Sequence, residues 1–171
     1  LLKKKVNLNL TSSTRENSSI KKLGVFEFEN LQFKENTYDK KILDKLNEYD
    51  YILISVPPIN SNDLFLKILA NHVSENSKIK TILYLSSTSV YGDHNGAWVN
   101  EESETKPKTK MGIDRLHIEN KWIEFSKKKK LPIQIFRLAG IYSEKNNAVS
   151  RLQNKQSFLV VKENHFFSRI H

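Results

Sequence analysis

The chain has 171 residues, of which 38% are hydrophobic and 27% are charged, and this composition is typical of a globular protein rather than a disordered one. It contains no cysteine, which excludes disulfides and thiolate metal sites. No apolar run approaches the roughly 20 residues of a membrane-spanning helix. The leucines and lysines at residues 1–5 are not followed by the apolar core of a secretory signal. These features predict a cytoplasmic protein without a membrane partner.

The formal net charge of +9 raises the question of a nucleic-acid partner. The basic residues are mostly lysine, and they are scattered along the chain. Their longest run, residues 127–130, falls at the expected end of a helix, where cations complement the helix dipole. Nucleic-acid binding requires basic residues clustered on one face, and no such clustering is visible. We therefore interpret the charge as a solvated surface and expect no nucleic-acid partner.

Hydrophobic periodicity predicts alternating strands and helices. Residues 1–5 are predicted as the last turn of a helix, residues 11–15 as a loop, and residues 92–108 as a long polar loop of the kind that is often functional. Strands are predicted at residues 6–10, 25–28, 51–56, 80–86, 133–138 and 158–161. Helices are predicted at residues 39–47, 62–73, 109–130 and 148–154. This order predicts an α/β fold, a doubly wound (Rossmann-like) parallel sheet covered by helices on both faces, with ligands at the carboxyl ends of its strands.

The most informative segment is residues 84–92, which read Tyr-Leu-Ser-Ser-Thr-Ser-Val-Tyr-Gly. An apolar strand thus ends in a hydroxyl cluster followed by Val-Tyr-Gly. Met111 and Arg115 lie four residues apart on the next predicted helix, and a later strand ends in Arg-Leu-Ala-Gly-Ile-Tyr at residues 137–142. Together these motifs resemble the extended short-chain dehydrogenase/reductase family, which comprises nucleotide-sugar epimerases, dehydratases and reductases. The polar run after Tyr91 resembles the atypical subset of that family.

The resemblance implies that Ser87 is a catalytic hydroxyl, with strand-end capping of the backbone as its structural alternative. The family places Tyr-x-x-x-Lys where this chain has Met111 and Arg115. A thioether carries no transferable proton, so Met111 cannot be the general acid/base. Arg115 keeps the positive charge, but its planar fork does not copy an ammonium group. Tyr91 and His94 are candidates for a relocated proton donor, because imidazole exchanges protons near neutrality; alternatively, Tyr91 is a packed aromatic residue and His94 a surface loop residue.

Dinucleotide folds of this kind normally begin with a strand, a Gly-x-Gly-x-x-Gly loop and a helix that hold the pyrophosphate. The five glycines, at positions 24, 92, 96, 112 and 140, do not make that motif. We therefore expect a truncation of about 25–30 residues at the N-terminal side, judged from the rise per residue of such elements. The family's C-terminal substrate domain is also mostly absent, so residues 1–171 are predicted to form a partial NAD(P)-binding Rossmann-like domain.

The resemblance also implies cofactor contacts where strands end. Ser13 and Arg15 lie at a strand tip without an acidic residue, and an arginine there suits the 2′-phosphate of NADP, so NADP is predicted in preference to NAD. Arg115 either holds the cofactor ribose or pairs with Glu119 one helical turn later. The other implied cofactor contacts are Asn30, Leu31, Ser55, Val56, Pro57, Ser86, Ala139, Gly140 and Ile141. Gly140 permits a close backbone approach. An ordinary turn or a strand end is the alternative for these positions.

Three functional hypotheses stay open from the sequence. The first is an NAD(P)-dependent oxidoreductase or epimerase-like enzyme acting on a nucleotide sugar or a similar carbonyl or polyol substrate. The second is a non-catalytic NADP(H)-binding sensor or scaffold that has lost the catalytic tyrosine. The third is a fragment that binds nothing without the pyrophosphate loop. A homodimer through the helix that carries Met111 is expected from the family. No metal is expected, because the five histidines show no ligand spacing.

Overall fold

The computed structural model describes residues 9–34, 37–74, 77–144, 146–154, 166 and 168–171. The described residues fall into two compact units. The first lies within Leu1–Tyr49 and Ile68–Lys78, and the second within Asp50–Lys67 and Ile79–His171. Among the described residues, no helix has the length and apolar character needed to cross a bilayer.

The first unit contains a three-stranded sheet. Strands β1 (Thr11–Thr14), β2 (Ser19–Leu23) and β3 (Phe26–Gln32) have the order β1-β3-β2. β1 pairs with β3 in parallel, whereas β2 and β3 form an antiparallel hairpin whose turn contains Gly24 at φ 61°. Helix α1 (Lys41–Leu46) follows β3 and buries Ile42 and Leu46.

The second unit contains a parallel sheet of three strands in the order β4-β5-β6. β4 is Tyr51–Ile54, β5 is Thr81–Ser87 and β6 is Ile133–Leu138. Helix α2 (Leu64–His72) lies between β4 and β5 in the chain, and helix α3 (Lys110–Lys129) lies between β5 and β6. Two short parallel strands, β7 (Gly140–Ile141) and β8 (Arg169–Ile170), and helix α4 (Ala148–Gln153) complete it. This parallel α/β architecture confirms the Rossmann-like fold class predicted from the sequence.

Helix α3 covers one face of the parallel sheet because its apolar residues recur at helical spacing. Ile118, Trp122 and Phe125 are buried, and the Trp122 ring lies 5.9 Å from that of the fully buried Tyr84. Thr109 caps the start of α3 by accepting a hydrogen bond from the Gly112 amide at 3.1 Å. The bounds of α3 are within a residue of the predicted helix 109–130.

The opposite face of the β4-β5-β6 sheet is not buried as predicted. Tyr51 and Leu53 are 65% and 62% exposed, whereas their neighbours Ile52 and Ile54 are buried. Phe136 on β6 is also exposed. The expectation that both faces are covered was wrong for the described residues, because an apolar run does not reveal which of its faces has a partner.

The element predictions contain three further errors. Residues 11–14 form β1 rather than a loop, because pairing with β3 satisfies their backbone while their small polar side chains tolerate partial exposure. β2, β7 and β8 were not predicted, since strands this short or this polar give no periodic signal. Residues 9–10 are not strand. The helical turn at residues 1–5, the strand at residues 158–161 and most of the strand at residues 6–10 lie outside the described residues.

Candidate active site

The parallel sheet of the second unit brings together three of the predicted ligand-binding segments. Residues 55–57 follow β4, Ser86 and Ser87 end β5, and residues 139–141 follow β6. Since the strands are parallel neighbours, these segments lie along one edge of the sheet. Ligands of open α/β sheets bind outside this carboxyl edge.

Ser87 occupies the end of β5 and begins a single 3₁₀ turn, Thr88–Val90. Its Oγ accepts a hydrogen bond from the Ser89 amide at 3.2 Å, so the capping alternative for Ser87 is realised. A serine hydroxyl has one donor hydrogen and two acceptor lone pairs. The capping bond therefore uses an acceptor position and leaves the Ser87 O–H able to donate to a ligand oxygen.

Two other hydroxyls of the same cluster are buried without a partner among the described residues. The Oγ atoms of Ser86 and Ser89 make no hydrogen bond there. A buried hydroxyl left unpaired costs about 1–3 kcal/mol, so such groups in a folded protein call for a specific explanation. The end of β5 thus concentrates unused hydrogen-bonding capacity around Ser87.

Arg115 is held at the end of β5 by two hydrogen bonds. Its Nη1 donates to the Leu85 carbonyl oxygen at 2.9 Å and to Tyr84 Oη at 3.3 Å. β4 pairs with β5 only as far as Ile54, which lies opposite Tyr84, so the Leu85 carbonyl is one residue beyond the last strand pair. Burial raises the pKa of the Tyr84 hydroxyl, and the nearby Arg115 charge partly offsets this rise. The guanidinium supplies the hydrogen bond that a longer β4 would have provided.

Replacing Arg115 by methionine is expected to destabilise the chain by about 1–3 kcal/mol, because the Leu85 carbonyl and the Tyr84 hydroxyl lose their donor. Thermal or urea unfolding measures the loss. The matched control is Tyr84→Phe in the otherwise wild-type chain. It removes the longer of the two hydrogen bonds of Arg115 and keeps the bond to the Leu85 carbonyl. Equal stabilities for wild type and Arg115→Met would show that Arg115 does not support β5.

Of the two alternatives stated for Arg115, the pairing with Glu119 is not formed, because Glu119 is paired elsewhere. Glu119 is turned into the protein interior, where its carboxylate accepts from Arg137 Nη2 at 2.8 Å and from Arg137 Nε at 3.2 Å. The side chain of Glu119 is 1% exposed and that of Arg137 is 20% exposed. The hydrogen bonds to Glu119 are the main cause that raises the pKa of Arg137. This buried ion pair joins α3 to β6.

Tyr91 belongs to the same cluster. Its ring is buried, and the Arg137 guanidinium lies 4.8 Å from the ring centroid, a cation–π contact. His94 makes an edge contact with Tyr91 at 6.4 Å, and its Nε2 lies 3.1 Å from the Glu104 carbonyl oxygen. These contacts correspond to the structural alternatives stated for Tyr91 and His94 from the sequence. Their predicted role as proton donors stays a prediction.

The loop between the 3₁₀ turn and α3 is closed at its base. Gly92 and Lys106 form a parallel bridge, and the Lys106 amide donates to the Tyr91 carbonyl at 3.2 Å. Gly92 has φ 72°, and a Cβ atom there would lie 2.1 Å from the Lys106 carbonyl oxygen. The predicted loop at residues 92–108 is therefore an ordered loop that requires glycine at its base.

Met111 lies in the first turn of α3 and is 75% exposed. Gly112 beside it is buried, and a Cβ at that position would lie 2.6 Å from the Ser89 carbonyl oxygen. The start of α3 is thus pressed against the segment that follows Ser87. Position 111 faces solvent next to this contact, and its thioether contributes no proton.

The predicted cofactor residues of the first unit are placed as follows. Ser13 and Arg15 are exposed at and just after β1. Asn30 is fully buried, where it accepts from Ser12 Oγ at 2.9 Å and donates to Thr14 Oγ1 at 3.1 Å. Leu31 is also buried. The side chains of Asn30 and Leu31 are therefore committed to the fold, and the predicted adenine contact stays a prediction that would use their backbone.

Sequence reasoning missed the Glu119–Arg137 pair as an organising element of the site. Two signals were available. Glu119 lies between the apolar positions Ile118 and Trp122 on the buried face of α3, and Arg137 stands in a strand in which Gln134 is the only other polar residue. A charged residue at a buried position is almost always paired, so each of the two implied a partner.

Among the described residues, no group of acidic residues and histidines is arranged to hold a metal ion.

Comparisons with known proteins agree with this architecture. Residues 60–162 match the sequence model of the NAD dependent epimerase/dehydratase family. A functionally unknown conserved protein from Silicibacter pomeroyi DSS is 31% identical over 84% of this chain and 48% of its own, with a TM-score of 0.68. No curated protein matches the chain.

Two more distant structures share the fold. UDP-N-acetylglucosamine 4-epimerase from Bacillus cereus is 21% identical, with a TM-score of 0.61 over 86% of this chain and 52% of the epimerase. MoeE5, solved in complex with UDP-glucose and NAD, is 17% identical, with a TM-score of 0.61 over 84% of this chain and 51% of its own. The present chain therefore spans about half the length of the structures it matches.

Proposed function

Because the chain belongs to the NAD-dependent epimerase/dehydratase family, we propose that it takes part in NAD(P)-dependent oxidation and reduction of a nucleotide sugar or a similar carbonyl or polyol substrate. The observation that carries this proposal is the carboxyl edge of the β4-β5-β6 sheet. There the Ser87 O–H donates to none of the described residues, and the end of β5 lies next to the end of β6, which leads into Gly140. A hydroxyl donor at this edge suits the oxygen of a sugar or carbonyl substrate.

The residues at this edge fit the nicotinamide half of a dinucleotide. Uncharged hydroxyls surround Ser87, and two of them are buried without a hydrogen-bond partner among the described residues. Gly140, at the neighbouring strand end, is exposed. The pyrophosphate half has no glycine cradle among the described residues. The glycines at positive φ serve the β2–β3 turn and the loop after Tyr91. The nicotinamide half of the cofactor is thus the part that this chain supports.

When bound, the dinucleotide would supply the hydride acceptor or donor. The chain's own contribution would come from Ser87, which donates to the substrate oxygen, and from residues 139–141, which line the nicotinamide. Arg115 would act by fixing the end of β5, directly before Ser87. Its contact with a cofactor ribose is a separate prediction, for which the second terminal nitrogen of the guanidinium would serve as the donor. The exposed Arg15, which directly follows β1, supports a preference for NADP over NAD, because the neighbouring acidic residue Glu16 is paired with Lys21.

A non-catalytic dinucleotide-binding protein is the second candidate. The observation that favours it is Met111, which carries no proton and faces solvent beside the start of α3. For either candidate, we also propose a cytoplasmic location and a homodimer formed through α3. The exposed apolar residues Met111, Ile113 and Ile123 on α3 support such pairing.

The two candidates are separated by binding and turnover measured on the same preparation. We expect NADPH and NADH to show enhanced fluorescence on binding, and UDP-glucose to be oxidised or epimerised slowly. Ser87→Ala is expected to lower that turnover about 10²-fold, the contribution of one positioned hydrogen-bond donor, without loss of dinucleotide affinity. Met111→Tyr is the gain-of-function arm and is expected to raise turnover. Tight binding with no turnover in wild type and in Met111→Tyr would instead establish the non-catalytic candidate.

A further inference from the structure

Gly112 brings the first turn of α3 into contact with the segment that follows Ser87. Gly112 is buried, and a Cβ atom there would lie 2.6 Å from the Ser89 carbonyl oxygen and 2.8 Å from the Cβ of Pro107. Neither a backbone carbonyl nor a proline ring can rotate out of the way. Glycine is less favourable in a helix than alanine. Helix α3 therefore carries a less favourable residue at the position where it meets Ser89.

Ser89 connects this contact to Ser87. The carbonyl of Ser89 faces Gly112, and its amide donates to Ser87 Oγ at 3.2 Å. The hydroxyl of Ser89 is buried and has no hydrogen-bond partner among the described residues. Hydrogen bonds of the Ser89 side chain therefore do not hold this residue in place. The backbone of Ser89 is instead packed against α3, so the depth at which α3 lies affects the amide that caps Ser87.

Helix α3 also holds the chain on the other side of Ser87. Arg115 lies three residues after Gly112, and residues at this spacing share a face of a helix. Its Nη1 donates to the Leu85 carbonyl oxygen at 2.9 Å. Leu85 is two residues before Ser87, and Ser89 is two residues after it. One face of α3 thus contacts the chain on both sides of the candidate catalytic serine.

We propose that Gly112 is a positioning residue for Ser87. This inference rests on the proposed function. The close approach at Gly112 keeps the Ser89 amide against Ser87 Oγ, so that this bond occupies an acceptor position and the hydroxyl hydrogen is left for the substrate oxygen. A donor of this kind contributes to the reaction only when it is held where charge develops. Gly112 itself touches neither substrate nor cofactor and acts through Ser89.

The first test follows the Ser89 amide by hydrogen exchange, measured by NMR on the full chain. In Gly112→Ala, the added methyl displaces the Ser89 carbonyl, and we expect the Ser89 amide to exchange about tenfold faster than in wild type. Ser87→Ala lacks the acceptor and gives the rate for a lost bond. Gly24→Ala is the matched control, because a Cβ there meets no atom within 4 Å, and it is expected to leave the Ser89 rate unchanged.

The second test is a double-mutant cycle on the turnover of UDP-glucose with NAD⁺. Gly112→Ala is expected to lower kcat by about 10–10²-fold, the effect of a misplaced catalytic group, while KM stays within about twofold of wild type. In the Ser87→Ala background, the same substitution is expected to lower kcat by less than about twofold, because the hydroxyl that it displaces is already gone. A purely structural effect would be the same in both backgrounds.

Thr109→Val disturbs the same turn of α3 without adding a clash. It removes the cap in which Thr109 Oγ1 accepts from the Gly112 amide at 3.1 Å, and it keeps the shape of the side chain. We expect faster exchange of the Ser89 amide and lower turnover, both to a smaller extent than in Gly112→Ala. If circular dichroism shows that Gly112→Ala does not fold, Thr109→Val replaces it in both measurements.

Failure of this inference and failure of the proposed function give different results. If the Ser89 amide exchanges at the wild-type rate in Gly112→Ala, or if kcat falls equally in both backgrounds, the inference is wrong and the proposed function stands. If the wild-type chain binds a dinucleotide without turnover, or if Ser87→Ala keeps the wild-type rate, the proposed function fails and the inference fails with it, whatever the Ser89 amide does.

Discussion

Arg137→Met is expected to destabilise the chain by about 3–5 kcal/mol, the cost of leaving one member of a buried ion pair without its partner. Glu119 would remain in the interior, 1% exposed, with no cation for its carboxylate. The variant would also lose the contact between the guanidinium and the Tyr91 ring. Chemical denaturation monitored by circular dichroism measures the change, and intrinsic fluorescence reports it through Trp122, which is on the same helix as Glu119.

A double variant separates pairing from packing. Glu119→Leu combined with Arg137→Met replaces the ion pair by apolar side chains, and it is expected to recover most of the lost stability because neither charge is then buried alone. Lys80→Met is the matched control. It breaks the 2.7 Å pair with Asp50, but both partners are largely exposed, so the loss of stability is expected to be much smaller than that of Arg137→Met. An Arg137→Met loss no larger than that of Lys80→Met would contradict the burial argument.

Gly92→Ala is expected to cost about 2–5 kcal/mol and to open the base of the loop that follows Tyr91. A non-glycine residue at φ 72° costs roughly 1–2 kcal/mol, and a side chain forced into a packed space adds about 1–3 kcal/mol. The added methyl would meet the Lys106 carbonyl oxygen, which is backbone and cannot rotate away. Denaturation gives the stability, and amide exchange of Lys106 reports whether its bond to Tyr91 is lost.

Gly24→Ala provides the matched control for this prediction. Gly24 has φ 61°, and an added Cβ would meet no atom within 4 Å. Gly24→Ala has the conformational cost of a positive φ without a steric clash, so a loss of about 1–2 kcal/mol in the free energy of unfolding is expected. The difference between the two variants isolates the steric contact with Lys106. Equal losses would show that the loop base adjusts and that only the backbone angle matters.

The fold class could be predicted because it depends on patterns that are local in sequence. Three such patterns indicate their element without knowledge of its partner in the fold. They are the apolar run at β5, the hydroxyl cluster at Ser87, and the helical spacing of Ile118, Trp122 and Phe125. β1 could not be predicted in this way. Its four small polar residues become a strand only through pairing with β3, in which each partner lies 18 positions later in the chain.

The candidate site could be predicted only in part, for the same physical reason. The strand-end rule placed Ser87 and Gly140 at one edge of the sheet, because that position follows from topology alone. The partners of charged side chains did not follow from spacing. Glu119 lies at the helical distance that suits Arg115, but burial of its carboxylate selects Arg137 on β6.

The exposed face of the β4-β5-β6 sheet has a practical consequence for handling the chain in solution. An exposed apolar surface formed by Tyr51, Leu53 and Phe136 favours association between chains. The net charge of +9 opposes that association, because the chains repel one another. At an ionic strength of about 1 M the screening length falls to about 3 Å, so that repulsion disappears while apolar attraction persists. Added salt therefore lowers the concentration at which this chain precipitates. Precipitation is least favoured at low protein concentration and low ionic strength.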